Sequence, residues 1–255
     1  MLTWKLMFSL ITKWKRRRLL EKPIPKNWYG YLERNVGFYR YLPEHLCQRF
    51  HDYLKIFVWE KHFIGAGGME VTDEVRVVIA AAAVRMVLNL GLSYYNRLTE
   101  IIVYPSHYRH PEDDSVILGE AQNWGTVVLS YEAVLRGLKN AEDGSDTATH
   151  EFAHVLDRDG GAFNGTPRLR NYDHYKPWGE IMSYHYLSLR KGRSRQKEVL
   201  SLYGATNEAE FFAVATETFF EKPEKLGNQL PDLYDLLKQF YECDPLEERR
   251  KKDSD

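Results

Sequence analysis

The residues best able to do chemistry in this chain are His150, Glu151 and His154, set in the run His150-Glu151-Phe152-Ala153-His154. On a helix, residues four apart stand one above the other on the same face, so both imidazoles point the same way. Two imidazole nitrogens at that spacing can share one tetrahedral Zn²⁺ ion. Glu151 lies beside the first of them, where a carboxylate can take a proton from a water that the ion has acidified toward a pKa of about 7. The implied chemistry is metal-assisted hydrolysis. A catalytic ion of this kind takes a third protein ligand and keeps one position open. Asp157 is close by on the same helix face. It is better placed to hydrogen-bond a ligand's second nitrogen than to reach the ion. Glu210 and Glu217 are seven apart on a later helix and share a face, whereas Glu208 lies on another. Spacing alone puts Glu210 only slightly ahead of Glu217 as the third ligand.

These residues need elements to hold them. Ser145 or Asp146 offers an N-cap just ahead of the motif, and Phe152, Ala153, Val155 and Leu156 give its helix an apolar side to bury. Upstream, Thr126, Val127, Val128, Leu129 and Ser130 read as a strand entered through Gly125, placed to line an extended peptide by backbone pairing. Ile101–Tyr104 is a second strand. Helices are predicted over Pro43–Trp59, from Thr72 to Leu90 with Gly91 as its stop, from Tyr131 to Leu138, over Ile181–Arg190, over Glu208–Phe220 and through Leu233–Tyr241. Gly160–Trp178 and Arg190–Lys197 read as irregular. Asn140–Asp146 reads as a turn, and His107–Asp114 as a polar loop whose histidines carry no role. Residues 1–25 form a basic N-terminal arm, solvated or loosely docked, residues 26–246 the folded body, and residues 247–255 a charged, disordered tail.

Composition excludes several classes. With 255 residues, 44% apolar and 14% aromatic, the chain can bury a substantial core without staples. A net charge of -1 gives no bulk electrostatic attraction to nucleic acid or to an anionic membrane, and no direct nucleic-acid binding is expected. Cys47 and Cys243 stand far apart and form neither a disulfide framework nor a zinc ribbon. At the N-terminus a short apolar stretch precedes the basic run Lys13, Lys15, Arg16, Arg17, Arg18. That is the reverse of a secretory signal and far below the roughly 20 residues that span a bilayer. A cytoplasmic location without a stable membrane anchor is expected. The turn Gly65-Ala66-Gly67-Gly68 lacks the Lys and Ser/Thr of a phosphate loop.

Several separated motifs recur in one order: Gly119-Glu120-Ala121, then Gly125 through Ser130, then Thr149 through Asp157, then Asn164-Gly165-Thr166-Pro167, then Ala209-Glu210-Phe211-Phe212-Ala213-Val214, then Thr216 through Phe220. Together with Phe63–Ala80 they make residues 40–245 resemble the Mlc titration factor A family of zinc-dependent peptidases. The resemblance implies an α+β, zincin-like metalloprotease domain, similar to the catalytic domain of anthrax lethal factor, with a small mixed sheet, several helices and the HExxH run on the active-site helix. It also implies Glu210 as third zinc ligand and Tyr203, seven residues before it, as a group that polarises the substrate carbonyl. The expected activity is hydrolysis of peptide or protein substrates, aminopeptidase-like on small ones. A role in regulating sugar-uptake genes follows from the family's transcriptional-repressor partner. The alternative is a non-catalytic regulator that sequesters such a repressor. The tryptophan-containing arm, with Trp4 and Trp14, matches no feature of that family.

Overall fold

The structure is a computed structural model, and it describes residues 2–109, 116–117, 119–122, 125–140 and 146–253. Helices dominate. Helix α1 (Leu2–Leu20) is followed by α2 (Lys26–Asn35), α3 (Glu44–Glu60), strand β1 (His62–Gly65) and α4 (Asp73–Val87). Strand β2 (Glu100–Tyr104) leads to a small ribbon of β3 (Tyr108–Arg109) and β4 (Val116–Ile117), then β5 (Gly119–Gln122) and β6 (Thr126–Ser130). The remainder is helical: α5 (Tyr131–Lys139), α6 (Thr147–Asp159), α7 (Tyr175–Arg190), α8 (Ser194–Val199), α9 (Glu208–Glu221), α10 (Pro223–Gln229), α11 (Pro231–Tyr241) and α12 (Pro245–Asp253).

The main sheet has the order β1-β2-β6-β5. β1, β2 and β6 run parallel, in a register that sets Ile101 opposite Val127 and Val103 opposite Leu129. β5 returns antiparallel against β6. Strand β6 therefore has both edges occupied, and all five of its residues are buried. This corrects the expectation that Thr126–Ser130 could pair with a peptide, because its N–H and C=O groups already serve β2 and β5. Among the described residues, β5 is the sheet's outer strand on that side, and it packs against α6.

α4 runs through the centre of the core. Thr72 caps it by accepting from Val75 N at 3.4 Å, and Ala80–Ala83 are fully buried. With only methyl groups there, α2, α3 and α6 can pack close around it. Phe152, Ala153 and Leu156 bury the apolar side of α6 against this core, while Phe212, Ala215 and Phe219 do the same for α9.

The structure departs from the sequence reading at several ends. α7 begins at Tyr175 rather than Ile181, since Pro177 sits in the first turn, where a missing N–H costs no helical bond. Ser194–Lys197, the end of the loop read over Arg190–Lys197, falls in the short helix α8. Prolines 223, 231 and 245 start α10, α11 and α12 instead of only ending what precedes them. The charged tail, predicted to be disordered, is helical as far as Asp253. Asp244 Oδ1 accepts the Glu247 N–H at 3.1 Å, and Arg249 donates to the carbonyls of Phe220 and Glu221 at 3.1 Å. The arm is helical too, and a bidentate Arg16–Glu60 pair at 2.6 and 2.7 Å fastens its end to α3. Most of the predicted turn at Asn140–Asp146, and His110–Asp114 of the polar loop, lie outside the described residues.

Candidate metal centre

α6 is a strongly set helix. Asp146 caps it, accepting from Thr149 N at 3.1 Å and from the Thr149 hydroxyl at 2.6 Å. One side of α6 is apolar core, and the other carries His150, Glu151 and His154, all buried. α9 is capped in turn by Asn207, whose side chain accepts from Glu210 N at 2.9 Å. The two helices pack together, which brings Glu210 to the two imidazoles across sixty positions of sequence.

His150 Nε2 and Glu210 Oε2 are 3.0 Å apart, His154 Nε2 and His150 Nε2 are 3.2 Å apart, and His154 Nε2 and Glu210 Oε2 are 3.3 Å apart. Ligands held at about 2.0–2.1 Å around a tetrahedral ion stand roughly 3.3–3.4 Å from one another. The three atoms thus form nearly the face that such an ion would close. Hydrogen bonding alone serves this triangle poorly, because it joins two ring nitrogens and a carboxylate oxygen with too few protons among them.

Glu217 is not part of the triangle. Its Oε2 lies 3.2 Å from His150 Nδ1, and its Oε1 accepts from Asp146 N at 3.1 Å. Once Nε2 has lost its proton, a carboxylate behind Nδ1 keeps the remaining ring proton on that side and turns the Nε2 lone pair toward Glu210 and His154. The two glutamates that spacing left nearly tied therefore divide between two positions, one in the triangle and one behind it.

Charge in the cluster favours a cation at its centre. Burial lowers the His150 imidazolium, but Glu210 and Glu217 outweigh it and raise the group to about 10, so the ring holds both protons at neutral pH and a metal binding at Nε2 would displace one of them. Burial likewise raises the Glu210 carboxyl, yet its bonds to His150 and His154 pull it down to about 2. Burial lowers His154 and raises Glu217.

Asp157 does not take the place expected of it. Its Oδ2 accepts from Gly165 N at 2.8 Å, while its Oδ1 and the His154 Nδ1 are each without a hydrogen-bond partner. Gly165 explains the preference. It has φ +76, its carbonyl accepts the Trp178 indole N–H at 3.0 Å, and a Cβ there would meet the Glu208 carbonyl at 2.4 Å. Asp157 thereby ties the loop after α6 back to that helix, at the point where the loop passes close to Glu208 at the start of α9.

Tyr203 sits in a short 3₁₀ turn at Leu202–Ala205 whose first N–H groups are capped by Ser201. Its ring centroid is 5.8 Å from that of His150. The residue is 56% exposed, so it borders the centre from the solvent side. Burial of its hydroxyl, then the Glu210 and Glu151 carboxylates, push the phenol upward, which keeps it a proton donor. Phe163 closes the other side, 5.4 Å from His154 and with φ +48. Nothing in the sequence marks Phe163, since a strained loop aromatic has no spacing signature. Asp146 was visible as a cap, but its bond to Glu217 was not.

A helix bearing two histidines four apart, a carboxylate from a second helix and a small sheet alongside are the parts of a metallopeptidase domain. The profile of the glucose-regulated metallo-peptidase M90 family matches residues 11–242, and the chain belongs to that family. An uncharacterised protein of Synechocystis sp. is 36% identical to it over 246 residues, covering 91% of this chain and 90% of the relative. Mlc titration factor A of Serratia proteamaculans is 28% identical over 208 residues, covering 73% of this chain and 76% of the relative. The protein of that name from Yersinia pestis is 28% identical over 202 residues, covering 73% and 74%.

Proposed function

We propose that the chain is a zinc-dependent metallopeptidase whose body, residues 26–246, hydrolyses peptide bonds, with aminopeptidase character, in the cytoplasm. The observation that carries this reading is the triangle of His150, His154 and Glu210, with Glu217 behind His150 Nδ1. When bound, Zn²⁺ supplies Lewis acidity at the scissile carbonyl and makes a water available as nucleophile near neutral pH. Glu151 accepts the proton of the attacking water as the new C–O bond forms, and delivers it to the amine nitrogen as the C–N bond breaks. Tyr203 donates its phenolic proton as a hydrogen bond to the developing oxyanion. An extended substrate adds to the outer edge of β5, which takes over the pairing role first expected of β6.

Glu151→Gln keeps the shape and the ligands but removes the base. It should retain metal and lose peptide hydrolysis by about 10²–10⁴-fold. Metal analysis with a peptide-library cleavage assay on parent and variant checks this; equal cleavage by the two proteins overturns the mechanism.

A second reading rests on the relatives named Mlc titration factor A. On it, the chain binds a transcriptional repressor and hydrolysis is secondary. Glu151→Gln would then leave repressor capture and its effect on gene expression in cells intact, whereas a peptidase role in cells would be lost with the base.

A further inference from the structure

We infer that α1 binds the surface of an anionic lipid bilayer and holds the protein there peripherally. No helix among the described residues is long and apolar enough to cross a membrane, so the contact is with one face only.

α1 is fastened to the body at its C-terminal end, where Arg16 pairs with Glu60 and Leu19 packs against the core. Lys55 secures the same end by donating to the carbonyls of Leu19, Leu20 and Lys22. Residues 11–15 are all exposed.

The residue types exposed beside that end are unusual for a solvated helix. Trp14 is 56% exposed and Ile11 43%. The body extends the patch with Trp59 at the end of α3, which is 52% exposed. Two open indoles and an exposed isoleucine on one basic surface gain nothing from contact with water alone.

Charge selects the occupant. α1 carries Lys5, Lys13, Lys15, Arg16, Arg17 and Arg18 and no acidic residue, in a chain whose net charge is -1. The cations stand beside the aromatics: the Arg18 guanidinium is 4.6 Å from the Trp14 ring centre, and Lys15 Nζ is 5.9 Å from that of Trp59. Tryptophan and aliphatic side chains bordered by Lys and Arg match the boundary between acyl chains and anionic headgroups, where rings sit at headgroup depth and cations meet phosphates. A nucleic acid would engage the cations but leave Ile11 in water.

The test is flotation of the full-length protein with vesicles of phosphatidylcholine alone, or with roughly a third phosphatidylglycerol, at low and high salt. Binding to the anionic vesicles is expected, weakened by salt, with little binding to the neutral ones. Lys13→Gln/Arg17→Gln should lower partitioning about 25-fold, on the order of fivefold for each surface cation. Trp14→Ser/Trp59→Ser should lower it about tenfold for each indole that the bilayer buries. Both pairs are exposed and lie outside the metal centre, so unchanged circular dichroism and unchanged cleavage of soluble peptides keep a folding defect from imitating the result. The inference is overturned if anionic and neutral vesicles bind alike, if the variants partition like the parent, or if the protein ignores vesicles and binds a single-stranded oligonucleotide instead.

Discussion

At the scale of single residues, the division of labour between Glu210 and Glu217 is the most informative feature. Spacing placed both on one face of one helix with Glu210 only slightly ahead, and it was the family resemblance that named Glu210 as the ligand. What separates them is where α9 crosses α6: Glu210 reaches the Nε2 side of His150 and Glu217 the Nδ1 side. Glu217→Gln tests this. The amide keeps the size but can also present an N–H to Nδ1, so the ring tautomer is no longer enforced. Metal affinity should fall about 10–100-fold, as is usual when the partner behind a ligating histidine is altered. Competition with a graded chelator measures it, and the fall should exceed that of Glu151→Gln. An affinity equal to the parent's would show that Glu217 only fills space. Asp157 carries the opposite lesson. Its proximity to His154 was legible, but its preference for the Gly165 N–H came from a loop geometry that no periodicity encodes.

Among elements, the helices were legible where apolar residues recur at helical spacing and a cap is present, as in α4, α6 and α9. The failures share one physical cause: short elements defined by tertiary contact. β1 has four residues and no alternation, α8 has six, and α12 is mostly charged. α12 exists because Asp244 caps it and Arg249 bridges to the end of α9. Burial raises the Asp244 carboxyl, but Lys238, Tyr234 and the Glu247 N–H outweigh it, so it lies below its ordinary value. A carboxyl depressed in the folded state contributes stability that is full above its unfolded pKa of about 4 and lost as pH falls through the folded value. Asp244→Ala should therefore cost about 1 kcal/mol near pH 7, the usual worth of a cap. The difference between parent and variant should shrink steadily below pH 4. Urea midpoints across that range check both points, and a pH-independent difference would mean that packing rather than charge is lost.

For the whole molecule, residue pattern announced a helical body with a small sheet but not the order of its strands. Thr126–Ser130 looks the same in sequence whether it is an edge or a centre, because an apolar run reports burial and not which neighbours do the burying. Only the return of β5 decides that. The same return lays β5 along α6, and α6 packs in turn on α9, so sheet and site helices are joined through α6. A metal held by the triangle joins α6 to α9 and should stabilise the entire fold. An ion at a hundredfold excess over its dissociation constant adds about 2.7 kcal/mol. For a chain of this size each kcal/mol moves the midpoint by about 2–4 °C, so the melting temperature should rise by roughly 5–11 °C. Calorimetry of metal-stripped protein with and without Zn²⁺ measures the shift. Glu151→Gln should show it in full, since the base holds no metal, whereas His154→Ala and Glu210→Ala should lose most of it. An equal rise in all of them would place the ion elsewhere, and no rise in the parent would remove the metal from the account of this site.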